Sequence, residues 1–211
     1  MQASDVGSGK GKKMSGMFIV FEGIDGTGKS TVCRDLYDML VSEGRDAILT
    51  AEPTKDEIGM LIRSCAIRNI TPETEALLFV ADRADHTVKI REWVRNGSIV
   101  LCDRYYASTL AYQSVTVDGP GLDMDWLISL NEPVIIEPDI TFLLDVSPEV
   151  GMERVNARGQ LSKFESTGYL SKVRENYLKL ARERKFVVID ADRPLPEMFN
   201  EIFDILKKRM K

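Results

Sequence analysis

Phe18-Ile19-Val20-Phe21-Glu22-Gly23-Ile24-Asp25-Gly26-Thr27-Gly28-Lys29-Ser30-Thr31 runs from a short apolar segment into a glycine-rich turn and then a helical pattern. Residues 23–30 satisfy G-x-x-x-x-G-K-[ST], and each fixed position has a chemical reason. The glycines let the backbone turn tightly enough to aim its N–H groups at phosphate oxygens. The helix starting near Lys29 adds its positive N-terminal end. Lys29 would reach the β- and γ-phosphates and Ser30 would ligate magnesium, making Gly23, Ile24, Asp25, Gly26, Thr27, Gly28, Lys29, Ser30 and Thr31 the candidate phosphate-binding set. A chance glycine turn would not stand where a strand hands over to a helix.

Working outward, Ala47–Thr50, Ile99–Cys102, Ile140–Leu144 and Phe186–Ile189 repeat the apolar, β-prone character of Phe18–Phe21. Their nearly continuous apolarity is that of parallel strands covered on both faces. Amphipathic stretches alternate with them. Val32, Leu36, Met39 and Leu40 share one helical face before Gly44 offers a stop, and Ile58, Leu61, Ile62 and Cys65 repeat that spacing. Thr71-Pro72 is an N-cap and first-turn pair for a helix carrying Leu77, Val80, Ala81, Ala84 and Val88. Phe199, Ile202, Phe203 and Leu206 line a final helix. The alternation predicts an α/β P-loop NTPase three-layer fold: a five-stranded parallel sheet, the loop-bearing strand central, flanked by helices, with a small helical lid. Asp103 ends the third apolar run, where P-loop proteins keep a carboxylate for the magnesium shell. A solvated strand-end residue is the plainer alternative.

The 211 residues fit one domain, with 44% apolar and 29% charged residues. A net charge of −5 gives no sign of a nucleic-acid-polymer binder. Three cysteines without C-x-x-C spacing point to a reducing cytoplasm, and Cys102 reads as core filler. No apolar run approaches the roughly 20 residues of a membrane span. Residues 1–16 lack the apolar centre of a signal peptide and read as a disordered tail, leaving 17–211 as a single P-loop domain. Guanine-binding switch proteins are disfavoured because no Asn-Lys-x-Asp tetrapeptide occurs.

From Phe18 through the last helix the chain resembles the thymidylate kinases. The resemblance rests on Phe-Glu-Gly-Ile-Asp-Gly-Thr-Gly-Lys-Ser-Thr (21–31), Glu52-Pro53-Thr54, Leu78-Phe79-Val80-Ala81-Asp82-Arg83-Ala84-Asp85-His86, and Asp103-Arg104-Tyr105-Tyr106-Ala107-Ser108-Thr109-Leu110-Ala111-Tyr112-Gln113. Lys163-Phe164-Glu165 and the stretch from Tyr169 to Ala181 extend it. Phe79 and Arg83, four apart, share a helix face and could stack on a pyrimidine and bond its carbonyl. The spacing alone is also met by a core phenylalanine and a solvated arginine; the resemblance assigns them to thymine.

The resemblance further implies that Arg104 contacts the acceptor phosphate, that the helix residue Arg63 can reach it, that Asp25 binds the sugar 3′-hydroxyl, and that Tyr112 flanks the sugar's 2′ edge. Glu52, Pro53, Ser108, Thr109 and Gln113 complete the implied dTMP site. The polar segment at about 154–165 reads as a lid. Some thymidylate kinases carry an arginine in the P-loop; this chain does not, and the resemblance implies that lid cations take its place, with Arg158 and Lys163 first and Arg154 third. Asp25, Lys29, Arg104, Arg158 and Lys163 thus form the implied catalytic set, with Ser30 and Asp103 holding Mg2+. His86, the only histidine, is assigned no catalytic role.

Two departures stand out. Bacterial members often read Glu-Pro-Gly-Gly-Thr where this chain has Glu52-Pro53-Thr54, and Asp-Arg where it has Ser162-Lys163. The resemblance implies ATP-dependent phosphorylation of dTMP to dTDP in a cytoplasmic homodimer. The alternatives are a kinase for another nucleoside or nucleotide and a low-turnover ATP-binding regulatory module.

Overall fold

The computed structural model describes residues 16–65, 70–116, 121–157 and 167–210. Five parallel strands, β1 (Met17–Glu22), β2 (Ala47–Ala51), β3 (Ile99–Asp103), β4 (Ile140–Asp145) and β5 (Val187–Asp190), form one sheet in the order β2-β3-β1-β4-β5. All five predicted runs are strands, shifted by a residue or two at their ends, and the strand before the glycine-rich turn is central. Phe21 pairs in register with Asp103, and Glu22 with Leu143. The chain builds one side of β1 with β2 and β3 and then crosses to β4. That reversal opens a crevice at the strands' carboxyl ends, where the glycine-rich turn and Asp103 stand side by side.

The helices are α1 (Lys29–Ser42), α2 (Glu57–Cys65), α3 (Pro72–Asn96), α4 (Tyr106–Gln113), α5 (Met124–Asn131), α6 (Pro148–Asn156), α7 (Thr167–Arg184) and α8 (Leu195–Arg209). Val32, Leu36 and Leu40 of α1 and Ile202 and Leu206 of α8 bury the faces their spacing predicts. The core closes around Phe21 stacked on Phe142 and Phe18 set edge-on against Tyr105, with ring centroids 5.4 and 5.1 Å apart. Cys102 lies within it.

Helix α3 begins as expected, with Thr71 Oγ1 accepting from the Thr74 N–H at 3.2 Å. Its burial does not follow its apolar series. Leu77 and Val88 are exposed, while Asp82, Arg83, His86 and Thr87 face inward with Ala76 and Ile90. A helix that buries charge must supply every buried group with a partner, and α3 does so at the crevice. The expected tail lies, apart from Gly16, outside the described residues. So does the lid beyond Ala157, with Arg158 and Lys163.

Candidate active site

The turn after β1 needs its glycines for two reasons. Gly26 adopts φ 84°, and a Cβ there would sit 2.2 Å from the Gly151 carbonyl oxygen; at Gly23, φ 140°, it would sit 2.4 Å from that of Leu144. Packed this closely against α6 and β4, only glycine fits. Lys29 is buried beneath the loop and donates to the Ile24 carbonyl at 2.7 Å. Burial, reinforced by the charge of Arg104, pulls its ammonium down to about 8 against the opposing pull of Asp25, Asp103 and Glu22.

Ser30 donates a short hydrogen bond to Asp103 Oδ2, and Asp103 Oδ1 is buried without a protein partner among the described residues. A buried carboxylate oxygen left unpaired is an exception that calls for an unseen donor or cation. One hydroxyl and one carboxylate suit Mg2+, which keeps waters and substrate phosphates in its shell and rarely uses an all-protein cage. Among the described residues no group of three or more His, Cys, Asp or Glu could form such a cage.

Arg104 occupies the turn from β3 into α4 at φ 72°, a left-handed conformation unusual outside glycine. Its Nη2 donates to Asp25 Oδ1 at 2.6 Å, its Nη1 to Ser108 Oγ at 3.0 Å and to the Tyr177 hydroxyl at 3.3 Å. The guanidinium carbon lies 5.1 Å from the centre of the Tyr112 ring. Burial alone would raise the Asp25 carboxyl, but the charges of Arg104 and Lys29 outweigh it and hold the group below the ordinary carboxylate range.

A cleft of about 920 Å3 follows the phosphate loop, Asp103 and Arg63. A second cavity of about 190 Å3 adjoins it. Its lining contains every residue of the implied dTMP set except Arg63, with Tyr105 as the one addition. Asp25, Glu52, Pro53 and Arg104 line both, so the two cavities meet at the Arg104–Asp25 pair. Phe79 is half-buried on the wall of the smaller cavity and is not a core residue.

Arg83 is not solvated either. It is 1% exposed and donates to Glu52 Oε2 at 2.8 Å, Asn131 Oδ1 at 2.5 Å and Thr109 Oγ1 at 3.1 Å. His86 Nδ1 lies 2.9 Å from the other Glu52 oxygen, and its Nε2 2.7 Å from Thr50 Oγ1. The short Glu52-Pro53-Thr54 loop is tied down as well, since Asp82 accepts from the Thr54 backbone N–H at 2.7 Å and its hydroxyl at 2.5 Å. Gln113 donates to Glu75 at 2.9 Å.

Two further expected cations, Arg63 and Arg154, lie apart from that cavity. Arg63 opens onto the larger cleft and donates to the Pro53 carbonyl at 2.6 Å. Arg154 donates to the Ala191 carbonyl at 2.7 Å and pairs with Asp192 at 3.6 Å, which draws it to the loop between β5 and α8. Glu22, Asn131 and Tyr177 hold the site together without having been singled out. Glu22 carried a signal, being a carboxylate at the end of an apolar strand; Asn131 and Tyr177 come from distant helices and carried none.

The family model described as thymidylate kinase matches residues 21–202. The probable thymidylate kinase of Thermococcus onnurineus is 41% identical over 92% of this chain and 98% of its own length. That of Methanococcoides burtonii is 42% identical over 92% and 97%. The thymidylate kinase of Halothermothrix orenii is 40% identical over 92% and 98%. Matched over nearly its whole length by family model and relatives alike, this chain belongs to the thymidylate kinase family.

Proposed function

We propose that the protein transfers the γ-phosphoryl group of ATP to dTMP, giving ADP and dTDP. The observation that carries this reading is the meeting of the two cavities at Arg104 and Asp25. A donor nucleotide on the glycine-rich loop and an acceptor in the smaller cavity would face each other across that junction. Phe79 offers a face for a pyrimidine, with Arg83 and Gln113 beside it. Tyr112 flanks the sugar and favours a deoxyribose.

In this mechanism the acceptor phosphate oxygen attacks the γ-phosphorus in line, with no covalent enzyme intermediate. The loop N–H groups and Lys29 hold the donor phosphates, and Arg104 holds the acceptor phosphate, so most of the acceleration is positioning and charge stabilisation. Asp25 orients Arg104 and lies within reach of the acceptor sugar. Ser30 and Asp103 would hold Mg2+, which supplies charge neutralisation to the phosphate oxygens when bound. Arg158 and Lys163 remain the proposed lid cations and Arg63 an accessory acceptor-side cation. A homodimer belongs to the same reading: Met60, Leu61, Leu77 and Val88 are exposed apolar side chains on α2 and α3 that such a contact would cover.

Coupled ADP release with Mg2+-ATP and dTMP, dUMP, dCMP, dGMP, AMP, UMP and thymidine as parallel acceptors tests the reading. Turnover strongest with dTMP supports it. Preference for thymidine or another monophosphate overturns the acceptor assignment, and ATP binding without turnover favours a regulatory module.

A further inference from the structure

Glu22 is fully buried at the end of β1, and its carboxylate is surrounded by hydrogen-bond donors. Oε1 accepts from the backbone N–H groups of Tyr105 at 2.9 Å and Ser108 at 3.2 Å, and Oε2 from Ser108 Oγ at 2.6 Å and the Tyr177 hydroxyl at 3.0 Å. Ser108 Oγ and the Tyr177 hydroxyl are 2.8 Å apart. Whether the tyrosine proton goes to Glu22 directly or to Ser108, it turns towards the carboxylate side. The lone pairs of the phenol oxygen are then left for its remaining partner, Arg104 Nη1. Burial and the Glu22 charge push the Tyr177 phenol well above its usual value, so it stays protonated in this role. Tyr177 is 1% exposed, and its ring stands edge-on, 6.1 Å away, behind that of Tyr112, which lines the smaller cavity.

We propose that Tyr177 is a positioning residue for the acceptor phosphate: its hydroxyl, oriented by Glu22 and Ser108, fixes the Arg104 guanidinium at the junction of the two cavities. The proposal rests on the acceptor reading above and adds a residue of α7 to it. A positively twisted backbone at Arg104 does not by itself aim a long flexible side chain. The two hydroxyls on one side and Asp25 on the other do.

The test is Tyr177→Phe in the full-length chain, with dTMP and thymidine titrated separately by calorimetry. The two ligands share base and sugar and differ only in the phosphate. Loss of one hydrogen bond to a charged group predicts a dTMP Kd weakened roughly tenfold, with the thymidine Kd changed less than about twofold. The kcat/KM for dTMP should fall at least as far, while the ATP KM holds. In an Arg104→Ala background, Tyr177→Phe should add nothing. Equal weakening for both ligands marks a merely structural tyrosine and overturns the proposal, as does an unchanged dTMP-to-thymidine ratio. Should Tyr177→Phe fail to fold, Tyr177→4-fluorophenylalanine, which keeps the volume of the hydroxyl without its proton, carries the same expectation. A wild-type protein that binds dTMP no better than thymidine overturns the acceptor reading itself, and this proposal with it.

Discussion

Arg104 combines a strained backbone with a side chain bonded to Asp25, Ser108 and Tyr177, and substitution can separate the two. At φ 72° any side chain with a Cβ costs about 1–2 kcal/mol, whereas glycine does not. Glycine returns about 0.4–1 kcal/mol of that through the greater freedom of its unfolded chain. Arg104→Gly should therefore be more stable than Arg104→Ala by roughly 1 kcal/mol, or about 2–4 °C in Tm for a chain of this size. Both variants lose the contacts to Asp25, Ser108 and Tyr177 and the charge offered to the acceptor phosphate. Removal of such a preorganised donor costs about 10²–10³-fold, expected here in kcat/KM for dTMP and equally in both variants. Thermal melts and the coupled ADP assay on the pair read the two effects independently. An alanine variant as stable as the glycine variant would refute the strain argument. Either variant retaining more than a tenth of wild-type kcat/KM would refute the assigned role.

Phe79→Ala should raise the KM for dTMP about 5–150-fold, the range of one aromatic–base stack, and leave that for ATP unchanged in steady-state kinetics. Phe79 is a cleaner probe of the cavity than Arg83, because truncating Arg83 strands buried Glu52 at a stability cost of about 3–5 kcal/mol. Lys29, held near 8, loses its charge as pH rises through that value, and ATP binds the charged form. Binding at pH 8.5 should therefore take up about 0.8 proton per ATP, against about 0.1 at pH 7; calorimetry in buffers of different ionisation enthalpy measures the difference, and equal uptake at both pH values contradicts it. Asp103→Asn should raise the Mg2+ concentration for half-maximal activity at least about tenfold, read from a magnesium titration at fixed ATP.

Much of the frame was legible because it depends on local pattern. The five apolar runs, the glycine-rich turn and the Thr71-Pro72 cap each specify their structure within a few residues. The lining of the smaller cavity was legible only through resemblance, since nothing in the sequence says that α4 brings Tyr112 against the face of α3 that carries Phe79 and Arg83. Helix α3 was misleading for a physical reason: its apolar residues Leu77 and Val88 face outward, and its buried face carries Asp82, Arg83 and His86. Periodicity reports where apolar residues recur, whereas here hydrogen-bond partners on β2, α4 and α5 decide the buried face. Tyr177 was hidden because its contact with Glu22 spans 155 positions of sequence.

The most direct measurement follows the phosphoryl group itself. With [γ-32P]ATP, Mg2+ and dTMP, chromatography should show label accumulating in dTDP in step with ADP, and neither product forming without dTMP. ADP accumulating while dTDP stays unlabelled, or at the same rate without dTMP, would contradict the account.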